Sequence, residues 1–112
     1  MNDFENLSIS SAIEGMANKN FTSLELTEFF IKKIEKNKDL NCFITSTFDK
    51  AIEMAKISDQ KIKENEARPL EGIPIGMKDL FCTNGVRTTA GSKILENFVP
   101  FYESTVSNNL WN

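Results

Sequence analysis

The sequence predicts an α/β fold in which helices of the first part pack against the opening strands of a mixed sheet that this chain leaves incomplete. Three observations predict it. Apolar residues recur at helical spacing from Leu7 to Asn65. At Pro69 the character changes to an apolar, β-leaning run punctuated by glycine and proline. A last amphipathic stretch then follows Pro100.

The first helix is expected from Leu7 to about Met16. Ser8 or Ser10 can cap it, and Ile9, Ala12, Ile13, Met16 and Ala17 share a face before Asn18-Lys19-Asn20 breaks it. Next, Thr22-Ser23-Leu24-Glu25 fits a capping box: the Thr22 hydroxyl accepts from the Glu25 amide, and the Glu25 carboxylate accepts from the Thr22 amide. Phe21 and Leu26 would form the matching hydrophobic staple. This helix runs to about Lys36, with Leu26, Phe30 and Ile34 on one face, Phe29 beside them, and Lys32, Lys33, Glu35 and Lys36 in water. Asn37-Lys38-Asp39 ends it. Asn41 to Ser46, holding Cys42, Phe43 and Ile44, reads as a short strand or extended link. A third helix is expected from near Thr47 to about Asn65, with a narrow stripe of Phe48, Ala51, Ile52, Ala55, Ser58 and Ile62. Pro69 forbids its continuation.

Leu70 to Asp79 reads as a strand: Ile73, Ile75 and Met77 fall on one face, and Pro74, Gly76 and Lys78 on the other. Pro74 lacks an amide proton, which suits an edge or a strand start. Thr83 to Ser92 is loop-rich, with turn signals at Asn84-Gly85 and Gly91-Ser92. Ser104 caps a last helix with Val106 and Leu110 on one face. That helix reaches Asn112 after about two turns, whereas an isolated helix needs roughly 12–15 residues to be even marginal. Stopping there with Leu110-Trp111 exposed points to a truncated or split chain.

The 112 residues are the size of one ordinary domain, and 40% hydrophobic with 26% charged residues is ordinary soluble composition. A net charge of -3 excludes the basic footprint of a nucleic-acid binder. No apolar run approaches the roughly 18 residues of a membrane span. MNDFENLSIS has neither the basic nor the apolar region of a secretory signal, so the expected compartment is the cytosol. Cys42 and Cys82 lie too far apart for a zinc or redox motif and read as reduced, partly buried thiols. No metal or cofactor is expected on this segment. The absence of histidine removes Ser-His-Asp and Cys-His chemistry, leaving Lys, Ser, Asp, Glu or Tyr to do any catalysis.

Among these, Lys78 stands out. It closes an apolar run, and Gly76 on its own side leaves space above the backbone. Lysines usually decorate solvated faces. A lysine that serves as a base must shed its charge, and moving its pKa from about 10.4 to about 7 takes roughly 4–5 kcal/mol of differential solvation. Burial can supply that, and the flanking apolar residues are compatible with shielding without establishing it.

Gly72-Ile73-Pro74-Ile75-Gly76-Met77-Lys78-Asp79, preceded by Leu70-Glu71, resembles the G-I-P-x-x-x-K-D segment of the amidase signature family. Phe81 to Ser92 is similar to the family's next block, and so is Tyr102-Glu103-Ser104-Thr105-Val106. Phe21 to Leu26 and Leu40 to Ile44 resemble the helical start of one branch, the A subunits of glutamyl-tRNA(Gln)/aspartyl-tRNA(Asn) amidotransferases. The resemblance covers nearly the whole chain. It implies one partial domain, residues 1–68 mainly helical and 69–112 opening the catalytic core. It also implies that Lys78 is the lysine of a Ser–cis-Ser–Lys triad. Unprotonated, that lysine accepts a proton through a bridging serine, and a second serine attacks an amide carbon to give an acyl-enzyme and ammonia. In the branch resembled, glutamine is the amide donor. Ammonia passes to a B subunit, where ATP and Mg are expected and where Glu-tRNA(Gln) becomes Gln-tRNA(Gln). A small C subunit wraps the pair.

The sequence departs from the family in one respect that matters. Both triad serines belong to a Gly-Ser-rich block downstream of the counterpart to Trp111, and no such block occurs here. Ser92, Ser104 and Ser107 do not occupy those positions, and the oxyanion donors are also expected downstream. These residues alone are therefore expected to be inactive. Gly76-Met77 also varies from the commoner small-apolar pair before the lysine. Two other readings stay open: a different amidase-signature hydrolase with a small-molecule amide substrate, and a non-catalytic helical module that docks a partner through Leu26-Phe30-Ile34. Missing strand partners would leave Ile73, Ile75 and Met77 poorly covered, so marginal stability or aggregation is expected.

Overall fold

A computed structural model describes residues 3–112. Met1 and Asn2, the start of the stretch read above as no secretory signal, lie outside the described residues. The chain forms two compact units, Met1–Cys42 with Thr47–Ile75, and Phe43–Ser46 with Gly76–Asn112. Residues 69–75 belong to the first unit because they fold back onto its helices, where Ser23 donates to Gly72 O at 2.8 Å and Ile73 packs on the core.

The first unit holds a 3-10 turn at Phe4–Asn6, helix α1 (Ile9–Ala17), helix α2 (Ser23–Lys36), a 3-10 turn at Lys38–Leu40 and helix α3 (Phe48–Lys63). Ser8 caps α1 and accepts from the Ser11 amide at 3.1 Å. The α1 face that turns inward is Ala12, Gly15 and Met16, while Ile9 and Ala17, expected on that stripe, are exposed. Gly15 is there because the Phe21 ring lies over it; a Cβ at that position would sit 2.3 Å from the ring. The α1 C-terminus closes with the Asn20 amide on Gly15 O (2.9 Å) and the Lys19 amide on Met16 O (3.0 Å), a Schellman pattern that puts Lys19 at φ +60. Asn65 repeats it after α3, at φ +59.

The capping box forms as the sequence specifies. Glu25 Oε2 accepts from the Thr22 amide at 2.7 Å, and Thr22 Oγ1 accepts from the Glu25 amide at 3.1 Å. Ala12, Met16, Phe21 and Leu26 form the core cluster, and Phe4, Leu7, Phe30, Ile62 and Ile73 pack against it. With Leu26 2% exposed and Phe30 on that core, the α2 stripe faces the interior and is not a free docking face. Helices α2 and α3 pack together. Asp59 of α3 accepts from the Ser23 and Leu24 amides at 2.7 and 3.1 Å, completing the α2 N-terminus from across the helix pair.

No strand forms among the described residues; the one β feature is an isolated antiparallel bridge between Thr83 and Val86. Of the two readings of Asn41–Ser46, strand or link, the structure has the link, with Asn41 left-handed at φ +51. The run 73–78 carries no regular secondary structure and no ladder. A strand exists through hydrogen bonds to a neighbour, and the Ile73 amide is instead spent on Leu70 O at 3.2 Å. No sheet is therefore seen among the described residues. Of the expected exposed face, Ile75 is exposed, but Ile73 packs on the core and Met77 is half-buried. Cys42 is exposed and Cys82 half-buried, both free thiols, so only Cys82 meets the expectation of partial burial.

The second unit holds a 3-10 turn at Lys93–Leu95 and helix α4 (Thr105–Trp111), joined by hydrogen-bonded loops. Ser104 caps α4, accepting from the Ser107 amide at 3.1 Å. Among the described residues, no helix is long and apolar enough to cross a membrane.

Candidate active site

Lys78 lies near the start of the Gly76–Asn112 stretch of the second unit, and its carbonyl accepts from the Phe81 amide at 3.1 Å. Its side chain is exposed and makes no ion pair or side-chain hydrogen bond among the described residues. The shielding that the flanking apolar residues allow is thus not provided within its unit. Without a paired strand there is no second layer to cover it, and Ile75 and Leu80 on either side are themselves about half exposed. Space is present where the sequence placed it: a Cβ at Gly76 would meet only a Phe43 ring carbon at 3.8 Å.

The next residue turns elsewhere. Asp79 Oδ1 accepts from the Thr89 amide at 2.8 Å, and Oδ2 accepts from the Thr89 hydroxyl and, at 3.4 Å, from the Gly91 amide. The Asp79 carbonyl accepts from the Ala90 amide at 2.7 Å. Partial burial pushes the Asp79 carboxyl up, but the Thr89 and Gly91 donors and the nearby Arg87 charge outweigh it and hold the group below its ordinary pKa. The turn that receives it is anchored in its unit. Thr88 and Thr89 are buried, and the Thr88 amide donates to Phe98 O at 3.0 Å.

Arg87 organises the other side of this loop layer, donating through Nε to Thr45 Oγ1 at 3.1 Å and through Nη1 to Glu96 O at 3.0 Å. The serines are committed to structure. Ser92 caps the 3-10 turn, Ser104 caps α4, and Ser107, fully buried, has its Oγ 2.5 Å from Glu103 Oε2 and 2.9 Å from Cys82 O. None of the three is presented to Lys78 by any hydrogen bond. Sequence reasoning singled out Lys78 but not the Asp79, Thr89 and Arg87 interactions that follow it in the chain. The available signal was an aspartate ahead of a Thr-Ala-Gly turn, since a short carboxylate readily captures turn amides. No group of three or more Cys, Asp or Glu gathers to hold a metal among the described residues.

The comparisons with known proteins cover this glycine-bearing run, its lysine and the aspartate pinned to the Thr-Ala-Gly turn together with most of the chain. The model of the amidase family matches residues 25–112, and the chain belongs to that family. Two relatives narrow the comparison. The chain is 60% identical over 106 residues to the A subunit of the glutamyl-tRNA(Gln) amidotransferase from Caulobacter vibrioides, covering 95% of this chain and 22% of that protein. It is 50% identical over 112 residues to the protein of the same name from Rickettsia bellii, covering 100% of this chain and 23% of the relative. The chain thus spans less than a quarter of the length of the curated relatives it matches.

Proposed function

We propose that the chain is the N-terminal portion of the A subunit of a tRNA-dependent amidotransferase, with Lys78 the base of its glutamine-hydrolysing site. The observation that carries this reading is the 60% identity across 95% of the chain to a protein of that name. The lysine's main chain is fixed by the Asp79 turn while its side chain projects free, as a base that must reach other groups requires.

In this reading the Lys78 amine, neutral when it acts, takes a proton relayed through one serine from a second. The second serine then attacks the glutamine carboxamide carbon, the C–N bond breaks, and ammonia leaves as the acyl-enzyme forms. Both serines and the oxyanion donors come from outside these residues, since Ser92, Ser104 and Ser107 are occupied as caps or buried. The 73–78 run then becomes a strand of the family's mixed sheet, and the cover over Lys78 comes with it. Ammonia passes to the B subunit, where ATP and Mg activate misacylated Glu-tRNA(Gln), and the C subunit clasps the pair. The assembly is cytoplasmic, and residues 69–112 open its catalytic core.

A chimera tests this. Residues 1–112 replace the matching segment of the Caulobacter relative, and ammonia release from glutamine is measured after purification with the B and C subunits. Activity in the chimera that Lys78→Ala abolishes, with both copurifying with those two partners, is the expected result. A folded chimera without glutaminase activity, or an active Lys78→Ala variant, overturns the proposal.

A further inference from the structure

The main chain that leaves Lys78 is fixed at Asp79, which is hydrogen-bonded to the turn at Thr89–Gly91. We propose that Asp79, clamped by Thr89, is a positioning residue that sets where the Lys78 amine can reach. The proposal rests on the reading of Lys78 as the base and adds a device for placing it.

The clamp uses both parts of the aspartate. The carboxylate takes the Thr89 amide (2.8 Å), the Thr89 hydroxyl and the Gly91 amide (3.4 Å). The Asp79 carbonyl takes the Ala90 amide (2.7 Å), and the Lys78 carbonyl takes the Phe81 amide (3.1 Å). The peptide unit that carries the lysine onward is therefore held from both sides. Its counterpart is equally fixed, because Thr89 is only 4% exposed. Ala90 is held at φ +50, a left-handed conformation that disfavours a residue with a Cβ. Its amide is then presented to the Asp79 carbonyl. An extended lysine side chain swings through several bonds from its Cα, so any slack in the main chain passes to the amine. Misplacing a catalytic group by about 1 Å can lower a rate by about 10²-fold.

The test is steady-state glutaminase kinetics of the chimera, which keeps the full-length protein together with its partners. Asp79→Asn removes the charged acceptor; Thr89→Val removes the hydroxyl at nearly constant shape; Thr89→Ser keeps the hydroxyl. The expected result is a kcat about 10- to 100-fold lower in Asp79→Asn and in Thr89→Val. The KM for glutamine should stay within about twofold, and the pH midpoint of kcat should not move. Thr89→Ser should keep most of the activity, and the double variant should be no worse than the poorer single one. If Asp79→Asn does not fold, the contrast between Thr89→Val and Thr89→Ser carries the same decision. Unchanged kcat in both variants, while Lys78→Ala is inactive, overturns the positioning role alone. An active Lys78→Ala variant overturns the functional reading beneath it. A lower pH midpoint in Asp79→Asn with its plateau intact would show the carboxylate acting through charge, since removing an anion lowers a lysine pKa, and would equally overturn the clamp.

Discussion

Glu71 should make the helical unit lose stability in acid over a definable window. Its side chain is 2% exposed and is surrounded by donors. Arg68 Nε lies 2.6 Å from Oε2 and Nη2 3.1 Å from Oε1, the Ser58 hydroxyl donates to Oε1 at 2.5 Å, and Lys61 Nζ stands 3.9 Å away. The Arg68 hydrogen bonds lower the carboxyl most. Burial opposes them, and Ser58 with the Arg68 and Lys61 charges adds to the lowering, which takes the pKa from 4.5 to about 2. At about 1.4 kcal/mol per unit this amounts to roughly 3 kcal/mol, and about 2–3 kcal/mol after allowing for solvent around Arg68, which is one-third exposed. The folded pKa lies below the unfolded one. The contribution is therefore complete above about pH 4.5 and lost as pH falls toward about 2. Urea unfolding of the wild type and Glu71→Gln, followed by far-UV circular dichroism from neutral pH downward, isolates the effect. The wild type should exceed the variant by about 2–3 kcal/mol near neutrality, and the two should converge in that acid window. A difference that stays constant down to about pH 2 would refute the assignment of the shift to this cluster.

Lys19→Gly should stabilise the chain by about 1 kcal/mol in the same urea assay, because glycine occupies the left-handed cap without the Cβ conflict that Lys19 carries at φ +60. Gly15→Ala should destabilise it by about 1–3 kcal/mol despite the better helix former, because the new methyl meets the Phe21 ring at 2.3 Å; neutral or improved stability would contradict that packing. Ile94, 94% exposed, and Phe101, 87% exposed, should make the chain self-associate. Ile94→Lys with Phe101→Lys should lower the sedimenting fraction and leave the helical circular dichroism unchanged.

What was legible in the sequence is what a few neighbouring residues decide. The Thr22–Glu25 box is a three-residue rule, so it could be placed atom by atom, and the α2 and α3 stripes follow from helical spacing alone. The α1 stripe was right at Ala12 and Met16 but missed Gly15 and took in the exposed Ile9 and Ala17. Its register is set by Gly15 under Phe21, a contact that favours the smallest residue and carries no apolar signal of its own. The strand at Leu70 to Asp79 failed for a different reason. Alternation in Ile73, Ile75 and Met77 describes a surface, but a strand needs a partner main chain, and in this chain the Ile73 amide goes to a local turn. Lys78 was singled out by its motif, and its cover could not be read from its neighbours because cover is a property of other segments. Asp79 and Thr89 stand ten positions apart, and no periodicity links a carboxylate to a turn across that distance.

The two units also differ in what holds them, and this bears on the lysine. The helical unit buries Ala12, Met16, Phe21 and Leu26 together, drawing on burial worth about 25 cal/mol per Å² of apolar surface. The unit that bears Lys78 does the opposite: it buries Thr83, Thr88, Thr89 and Ser107 and exposes Leu80, Ile94, Val99 and Phe101. Hydrogen bonds worth about 1 kcal/mol each fix its loops but give little driving force for collapse. Such a layer is specific in shape yet poor in cohesion, and apolar surface laid over it would add the missing term. The same surface would remove water from around Lys78, the change a lysine needs before it can act as a base. On the proposed reading of Lys78, completing the layer and activating the amine would be one physical event, with the Asp79–Thr89 clamp holding the lysine's main chain in place before the cover arrives.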